Sequence, residues 1–284
     1  MRDTKPMDDL GWLKQQKACH TDIKIPPHIA VIMDGNSRWA ERFHHSRTWG
    51  HHQGAQALKR TVRACYLLKI PYLTLYAFSM ENWQRPKEEV DDLMELLVMY
   101  LRSERSELKE HGIRLHVIGN LDLLPLEVQQ EVMITQEFLN NSQGMTLTLA
   151  ISYSAREEIT RAVQTIAKQV SIGHLEPEDI TAEVIGNSLS TAGIPDPDLL
   201  IRTSGEMRLS NFLLWQMAYT EFYFSDSHWP EFNAKLLWQA ITDFHNRKRR
   251  FGQRVDHQPN KGHIVTQLLQ KPLVTNQEKS FLRA

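Results

Sequence analysis

Only two cysteines, Cys19 and Cys65, occur in the chain's 284 residues, so neither a disulfide framework nor a thiolate metal cluster is available. A reducing, cytoplasmic setting is the expectation. No apolar run approaches the ~18 residues that a membrane-spanning helix needs. Charge of one sign is missing too: 33 Lys and Arg stand against 34 Asp and Glu, a formal net charge of −1. That balance excludes a broadly basic surface, and no nucleic-acid partner is expected, although a local basic site stays open. Met1 to Lys24 carries neither the apolar segment of a secretory signal nor the acid-poor composition of a transit peptide. The 13 histidines include no pair at metal-motif spacing with a carboxylate between them. Also lacking are a glycine-rich loop ending in Gly-Lys-Ser/Thr, a Gly-x-Gly-x-x-Gly after the first strand and a Gly-x-Ser-x-Gly elbow. These absences argue against P-loop nucleotide hydrolysis, dinucleotide binding and serine hydrolysis. An aspartyl-phosphate phosphatase built on Asp34 would want a helper acid two residues on, where Asn36 stands.

What is present is ordinary globular material, 41% hydrophobic and 24% charged. The length suits one large α/β domain, expected over 26–252, between an N-terminal tail (1–25) and a C-terminal tail (253–284) with an apolar island at Ile264–Leu269. A short helix near Leu10–Leu13 is the one element allowed for in the first tail. Short β-rich runs alternate with helical patterns, the mark of a parallel sheet. The strands are expected at Ile29–Met33, Tyr72–Phe78, Leu115–Ile118, Met145–Ile151, Leu199–Arg202 and Glu221–Phe224. The helical pattern is clearest over Glu88–Glu110, where Val90, Leu93, Met94, Leu97 and Leu101 share a face. A second helix follows Pro125, and a third carries Ile159, Ala162, Val163, Ile166 and Val170. Gly112 and Gly144 stand where helices should end.

Ligands of open parallel sheets gather at the carboxyl ends of the strands. The first strand delivers Asp34, Gly35, Asn36, Ser37, Arg38 and Trp39, and the second Ser79, Glu81, Asn82, Trp83 and Arg85. The fifth delivers Arg202, Thr203, Ser204, Gly205, Glu206, Arg208, Ser210 and Asn211. Alone, the Asp34-Gly35-Asn36 triplet is a turn or a cap, and any single arginine is surface charge. Together at strand ends they suit an oxyanion-rich ligand such as a diphosphate, with a divalent cation bridging to a carboxylate. His51, in a loop-to-helix junction, is at most a diphosphate or proton partner. Met94 and Met99 read as core or tunnel lining.

Three blocks, in order, carry a resemblance. His28-Ile-Ala-Val-Ile-Met-Asp-Gly-Asn-Ser-Arg-Trp-Ala40, Tyr76-Ala-Phe-Ser-Met-Glu-Asn-Trp-Gln-Arg-Pro86 and Asp198-Leu-Leu-Ile-Arg-Thr-Ser-Gly-Glu-Met-Arg-Leu-Ser-Asn-Phe-Leu-Leu-Trp-Gln216 resemble the signature motifs of cis-prenyltransferases, from about Pro26 to Gly252. The resemblance implies a six-stranded, mostly parallel sheet flanked by helices, a hydrophobic tunnel and a homodimer. It implies Mg²⁺-dependent condensation of isopentenyl diphosphate with an allylic diphosphate, farnesyl diphosphate being the expected starter. Asp34 would be the essential carboxylate, working with the metal and the departing diphosphate. Gly35, Asn36, Arg38, Arg47 and His51 would hold the allylic diphosphate, with Asn36 near the proton that is lost. Ser37 and Trp39 belong to the same motif. Arg202, Arg208 and Ser210 would grip isopentenyl diphosphate, and Glu221 would be a second metal ligand. Ser79 through Glu89, with Asn82, Trp83 and Arg85, resembles a mobile loop that closes over the substrates.

Some positions depart from the bacterial pattern. Ser37 replaces a common glycine, and Ser152, Ser154 and Ala155 replace an Asn and a Gly pair, closer to a plant-like form. Ala77 is small where short-chain members place bulk, and Met145 is a residue that could narrow the tunnel. No insertion lengthens the chain before Leu115, against a very-long-chain product. The expectation is a medium-to-long product, undecaprenyl diphosphate first, with a short-chain or irregular synthase as the alternative and a non-catalytic subunit less favoured. The product's apolar chain implies transient contact with a membrane surface. Arg38, Arg47, Arg85, Arg202 and Arg208 are expected to make a cationic pocket, with the acids spread elsewhere.

Overall fold

The computed structural model describes residues 9–247. Helix α1 (Asp9–Cys19) precedes strand β1 (His28–Ile32), which leads into α2 (Asn36–Arg42) and α3 (Arg47–Leu68). Strand β2 (Tyr72–Ser79) is followed by α4 (Lys87–Glu110), and β3 (Arg114–Ile118) by α5 (Leu126–Leu139). Next come β4 (Thr146–Tyr153), α6 (Ala155–Ser171), the short α7 (Ala182–Asn187), β5 (Leu199–Arg202), β6 (Glu221–Phe224) and α8 (Ala234–Asn246).

The six strands pair in the order β3-β4-β2-β1-β5-β6, every pair parallel, so their carboxyl ends share one edge. β1 lies between β2 and β5, and its chain leaves toward β2 while β5 arrives on the other side. That reversal opens a crevice at the strand ends. Alternation then divides the strand side chains between two faces. Ile29, Val31, Leu75 and Ile201 join the larger core with α3, α4 and α8, whereas Ala30, Ile32 and Leu200 join a smaller one with Phe212 and Ala155. Burial on both faces is why these strands read as continuous apolar runs.

The helices follow their sequence signals. In α4 the buried stripe is Val90, Met94, Val98, Leu101 and Leu108, with Leu93 and Leu97 at its margin. α6 is capped by Ser154, whose Oγ accepts from the Glu157 N–H at 3.3 Å. Its face buries Ala162 and Ile166, but Val163 is 54% exposed. Met99 also points outward instead of lining core or tunnel. Gly112 ends α4 with a positive φ of 65°. Gly144 is not a helix end: it packs on Gly112, where a Cβ would stand 2.8 Å from the Gly112 carbonyl oxygen.

Two expectations are revised. The 1–25 stretch is not all tail, because α1 docks with Leu13 fully buried and Lys17 Nζ donating to the Leu67 carbonyl at 2.9 Å. β4 runs two residues past Ile151, and its register against β2 shifts around Phe78, so that Ser79 faces Tyr153. Such irregularities re-aim side chains where they occur, here at the crevice. The 253–284 tail, with its apolar island, lies outside the described residues.

Candidate active site

Asp34 stands just past the end of β1, where a carboxylate needs compensation for lost water. Arg202, the last residue of neighbouring β5, donates from Nη2 to Asp34 Oδ2 at 2.9 Å. Arg38, one turn into α2, donates from Nη2 to Oδ1 at 2.9 Å. Burial pushes the Asp34 pKa up, but hydrogen bonds and charge from Arg202 and Arg38 outweigh it, holding the carboxyl below the usual carboxylate range. The Arg202 side chain is only 3% exposed. Its Nη1 donates to Ser210 Oγ at 2.8 Å and also to the Arg208 carbonyl, while its Nε is buried without a partner.

The main chain around Asp34 is fixed by the loop after β5. The Asp34 N–H donates to Thr203 Oγ1, and Ser204 Oγ donates to the Asp34 carbonyl, both at 2.9 Å. Gly35 follows with φ 100°, and a Cβ there would fall 1.8 Å from Ser204 Oγ and 2.6 Å from His228 Nδ1. No other residue fits that turn. Asn36 is seated against α3, where glycines permit the approach: a Cβ on Gly54 would be 2.3 Å from Asn36 Oδ1. That amide oxygen is buried without a protein partner, so a ligand donor would satisfy it.

On the other side, Glu89 of α4 gathers three groups. Arg85 Nη1 donates to its Oε1 at 3.0 Å, while Arg47 Nη1 and His51 Nε2 each approach to 3.6 Å. Burial pushes the His51 pKa down, the Arg85 charge adds to this, and Glu89 only partly opposes them, so the imidazole is neutral at pH 7. The Ser79 N–H donates to Asn82 Oδ1 at 3.1 Å, and Trp83 Nε1 donates to Ser152 Oγ at 2.9 Å, tying the turn Met80–Gln84 to β4.

Asp34, Asn36, His51, Ser79, Asn82, Arg85, Arg202, Arg208 and Ser210 line one cavity of about 530 Å³. Met33, Asn36, His51, Ala77 and Leu93 also line a second, apolar cavity of about 100 Å³, walled further on by Leu58, Leu97 and Leu149. The polar cleft thus shares these five lining residues with an apolar space bordered by α3, α4 and β4.

Other expected site residues lie elsewhere. Arg38 bonds the cleft's Asp34, Gly35 turns the chain between Asp34 and Asn36, and Arg47 approaches Glu89, which also holds the cleft's Arg85. Ser37, Trp39 and Trp83 line neither cavity. Trp39 stacks on Trp49 at 4.7 Å, and Trp83 packs edge-on against Phe78. Glu221 lies apart from this cleft within the chain. It begins β6 opposite Leu199, three residues before the Phe224 that pairs with Arg202. At ~3.3 Å per residue that places it about 10 Å back along the sheet, where Arg247 Nη1 holds it at 3.0 Å. Within one chain it cannot share a cation with Asp34.

The acids are not spread elsewhere either. Glu206 accepts from Arg38 Nη1 at 2.8 Å and pairs with Arg208, and Glu81 accepts from Asn211 at 3.0 Å. Glu89 and His228 are the functional neighbours that sequence reasoning missed. Glu89 had a usable signal, its spacing of four from Arg85 on a helix start. No group of three His, Cys, Asp or Glu gathers as a metal cage among the described residues. The Asp34 carboxylate retains lone pairs beyond those its arginines use. It fits a magnesium ion bound through one carboxylate, with the other positions left to phosphate oxygens and water.

With this geometry in place, residues 32–252 match a family model described as "Putative undecaprenyl diphosphate synthase". An isoprenyl transferase of Geobacter sulfurreducens is 50% identical over 230 residues, covering 81% of this chain and 94% of that protein. A ditrans,polycis-undecaprenyl-diphosphate synthase ((2E,6E)-farnesyl-diphosphate specific) of Vibrio vulnificus is 46% identical over 228 residues, covering 80% and 91%. Among solved structures, lavandulyl diphosphate synthase from Lavandula x intermedia, in complex with dimethylallyl diphosphate, superposes with TM-score 0.79 at 37% identity, covering 81% of this chain and 99% of that one.

Proposed function

The chain belongs to the undecaprenyl diphosphate synthase family of prenyltransferases, and from that premise we propose that it condenses isopentenyl diphosphate with an allylic diphosphate, farnesyl diphosphate first, in cis. The product is a polyprenyl diphosphate, undecaprenyl diphosphate being the expected one. The observation that carries this reading is the union of an arginine-lined cleft with an apolar cavity through Asn36, His51, Ala77 and Leu93. A substrate with a diphosphate head and a hydrocarbon tail matches both halves.

In this reading Asn36, Arg38, Arg47 and His51, over Gly35, take the allylic diphosphate, and Arg202, Arg208 and Ser210 take that of isopentenyl diphosphate. Guanidinium groups serve because they stay charged and bind phosphate oxygens two at a time. The allylic C–O bond breaks, the electron pair leaves with the diphosphate, and the isopentenyl double bond closes a new C–C bond. The proton then lost departs near the unpaired Asn36 Oδ1. Arginines already fixed by Asp34, Glu206 and Glu89 meet the growing negative charge without reorganising, which is where such sites gain most. Magnesium, held through Asp34 when bound, supplies further positive charge for the diphosphate. The Ser79–Glu89 segment closes over the pair, Ser79 and Asn82 reaching the substrates. A homodimer and transient membrane-surface contact for product release complete the reading, checked by light scattering and vesicle flotation. No described helix is long and apolar enough to cross a membrane.

Purified protein given Mg²⁺, farnesyl diphosphate and labelled isopentenyl diphosphate should yield a ladder ending at one main length. The likeness to lavandulyl diphosphate synthase favours a second reading, a short or irregular product from dimethylallyl diphosphate. Mass spectrometry of products from several starters separates the two.

A further inference from the structure

Ser152, Ser154 and Ala155, the departures from the bacterial pattern, close β4 and open α6, and the reaction outlined above uses none of them. Two of them hold parts of the cleft. Ser152 Oγ accepts from Trp83 Nε1 at 2.9 Å and donates to Met80 Sδ at 3.2 Å, seating the turn Met80–Gln84 on β4. Ser154 Oγ accepts from Asn211 Nδ2 at 2.7 Å. The glycine that Ser154 replaces has no hydroxyl to offer.

Asn211 engages both ends of its amide. Nδ2 also donates to Glu81 Oε1 of the turn, at 3.0 Å, and Oδ1 accepts from the Arg156 N–H at 3.0 Å. Its main-chain carbonyl accepts from the Ala155 N–H at 2.9 Å. One residue thus joins the turn after β2, the start of α6 and the loop after β5. In the reading above, that loop grips isopentenyl diphosphate. Ser210 Oγ accepts from Arg202 Nη1 at 2.8 Å, and the Ser210 carbonyl accepts from the Tyr76 hydroxyl at 3.3 Å. Ser210 and Asn211 hold φ values of 48° and 60°. Such left-handed backbone costs a side chain energy and persists only where the surroundings fix it. The bonds of Asn211 fix it here. Glu81, Ser210 and Asn211 all line the polar cleft, so turn and loop shape the same space.

We propose that Asn211 is a positioning residue that couples closure of the Ser79–Glu89 segment to the isopentenyl diphosphate subsite, through its bond to Glu81. With Glu81 docked on Asn211, Ser210 and the neighbouring Arg208 stand where the diphosphate is gripped. Undocking lets the loop relax and weakens that grip. The inference rests on the elongation reading above. Coupling of this kind is reciprocal: what isopentenyl diphosphate gains from the docked turn, the turn gains from isopentenyl diphosphate.

The test measures kcat and both KM values on the full chain with Mg²⁺, farnesyl diphosphate and labelled isopentenyl diphosphate. Glu81→Ala removes the docking acceptor, Glu81→Gln keeps an oxygen there, and Asn211→Gly removes the side chain while accepting the left-handed φ. Glu81→Ala and Asn211→Gly should each raise KM for isopentenyl diphosphate roughly fivefold or more, the lower end of what coupled sites deliver, and leave KM for farnesyl diphosphate within about twofold. Glu81→Gln should rescue the unaltered value. The double variant Glu81→Ala/Asn211→Gly should be no worse than the worse single one, because both break one link. A merely structural role would lower the melting temperature and the active fraction, hence kcat, and leave KM alone. Glu81 is exposed, so Glu81→Ala decides the matter should Asn211→Gly unfold. An unchanged KM for isopentenyl diphosphate in folded Glu81→Ala, or effects that multiply in the double variant, overturns the coupling. Failure of the unaltered protein to elongate any starter is a separate result, and it removes the elongation reading itself.

Discussion

Asp34 owes its ionised state to residues far away in sequence: Arg202 is delivered by another strand, while Arg38 comes from the following helix. Asp34→Asn keeps the shape and removes the charge. Turnover should fall by roughly 10²–10³-fold or more, on the scale of losing one preorganised electrostatic contact, and the melting temperature should drop as well, because the buried Arg202 loses its counter-charge. Near-normal kcat would refute the role given to Asp34. The depressed pKa has a sign: Asp34 stabilises the fold above its unfolded pKa, and this is lost as pH falls through the folded value. Loss of activity between pH 7 and 5 therefore does not come from Asp34. His28 shares that sign but acts in a higher pH window. Burial lowers its pKa to about 4, with Nδ1 donating to the Pro195 carbonyl and Nε2 accepting from Thr74 Oγ1 at 2.8 Å. The unfolded chain binds the proton first, so stability should fall as pH drops from about 6.5 toward 4, by about 3 kcal/mol in all. Urea midpoints across that window, compared with His28→Gln, check it: a variant with the same pH slope sinks the assignment. The strand-end residues were legible because a parallel sheet puts function there. His228 was not, since its partner Ser204 comes from another element, and for Glu89 only the local pairing with Arg85 was legible, not its approach to Arg47 and His51 of α3.

At the scale of elements, α3 shows where local chemistry has been left suboptimal. It ends on Lys69 with φ 59°, a left-handed conformation that costs a side chain energy and suits glycine. Lys69→Gly should stabilise the protein by roughly 0.5–1 kcal/mol, net of the greater freedom of an unfolded glycine. Calorimetry reads the change, and a lower melting temperature would contradict it. Strands β1 and β5 and helix α4 were legible because double burial or a helical stripe leaves a plain pattern. The end of β4 was not: Ser152 and Tyr153 look polar, yet both are buried, and Ser152 adopts φ 50° while accepting from Trp83. The docking of α1 was hidden for a related reason. Its sequence has a weak apolar pattern, and only Leu13 is fully buried. Glu221 opens a parallel strand and so lies, within one chain, at the opposite end from the cleft.

Across the whole molecule, the near-zero net charge of −1 describes the site better than a cationic pocket does. Arg38, Arg85, Arg202 and Arg208 each contact a carboxylate or a fixed acceptor before any substrate arrives. Long-range attraction is thereby muted, while local donors stay aimed. Affinity for a diphosphate should therefore depend on arginine geometry more than on bulk charge: Arg202→Lys, which keeps the charge, should still raise KM for isopentenyl diphosphate at least tenfold, about 1.4 kcal/mol. An unchanged KM would contradict this. The measurement that bears most directly on the central claim is elongation itself. The purified full-length protein, with Mg²⁺, farnesyl diphosphate and labelled isopentenyl diphosphate, should convert label into a ladder of polyprenyl diphosphates closing on one main chain length. No label incorporated with farnesyl, geranyl or dimethylallyl diphosphate as starter would contradict it.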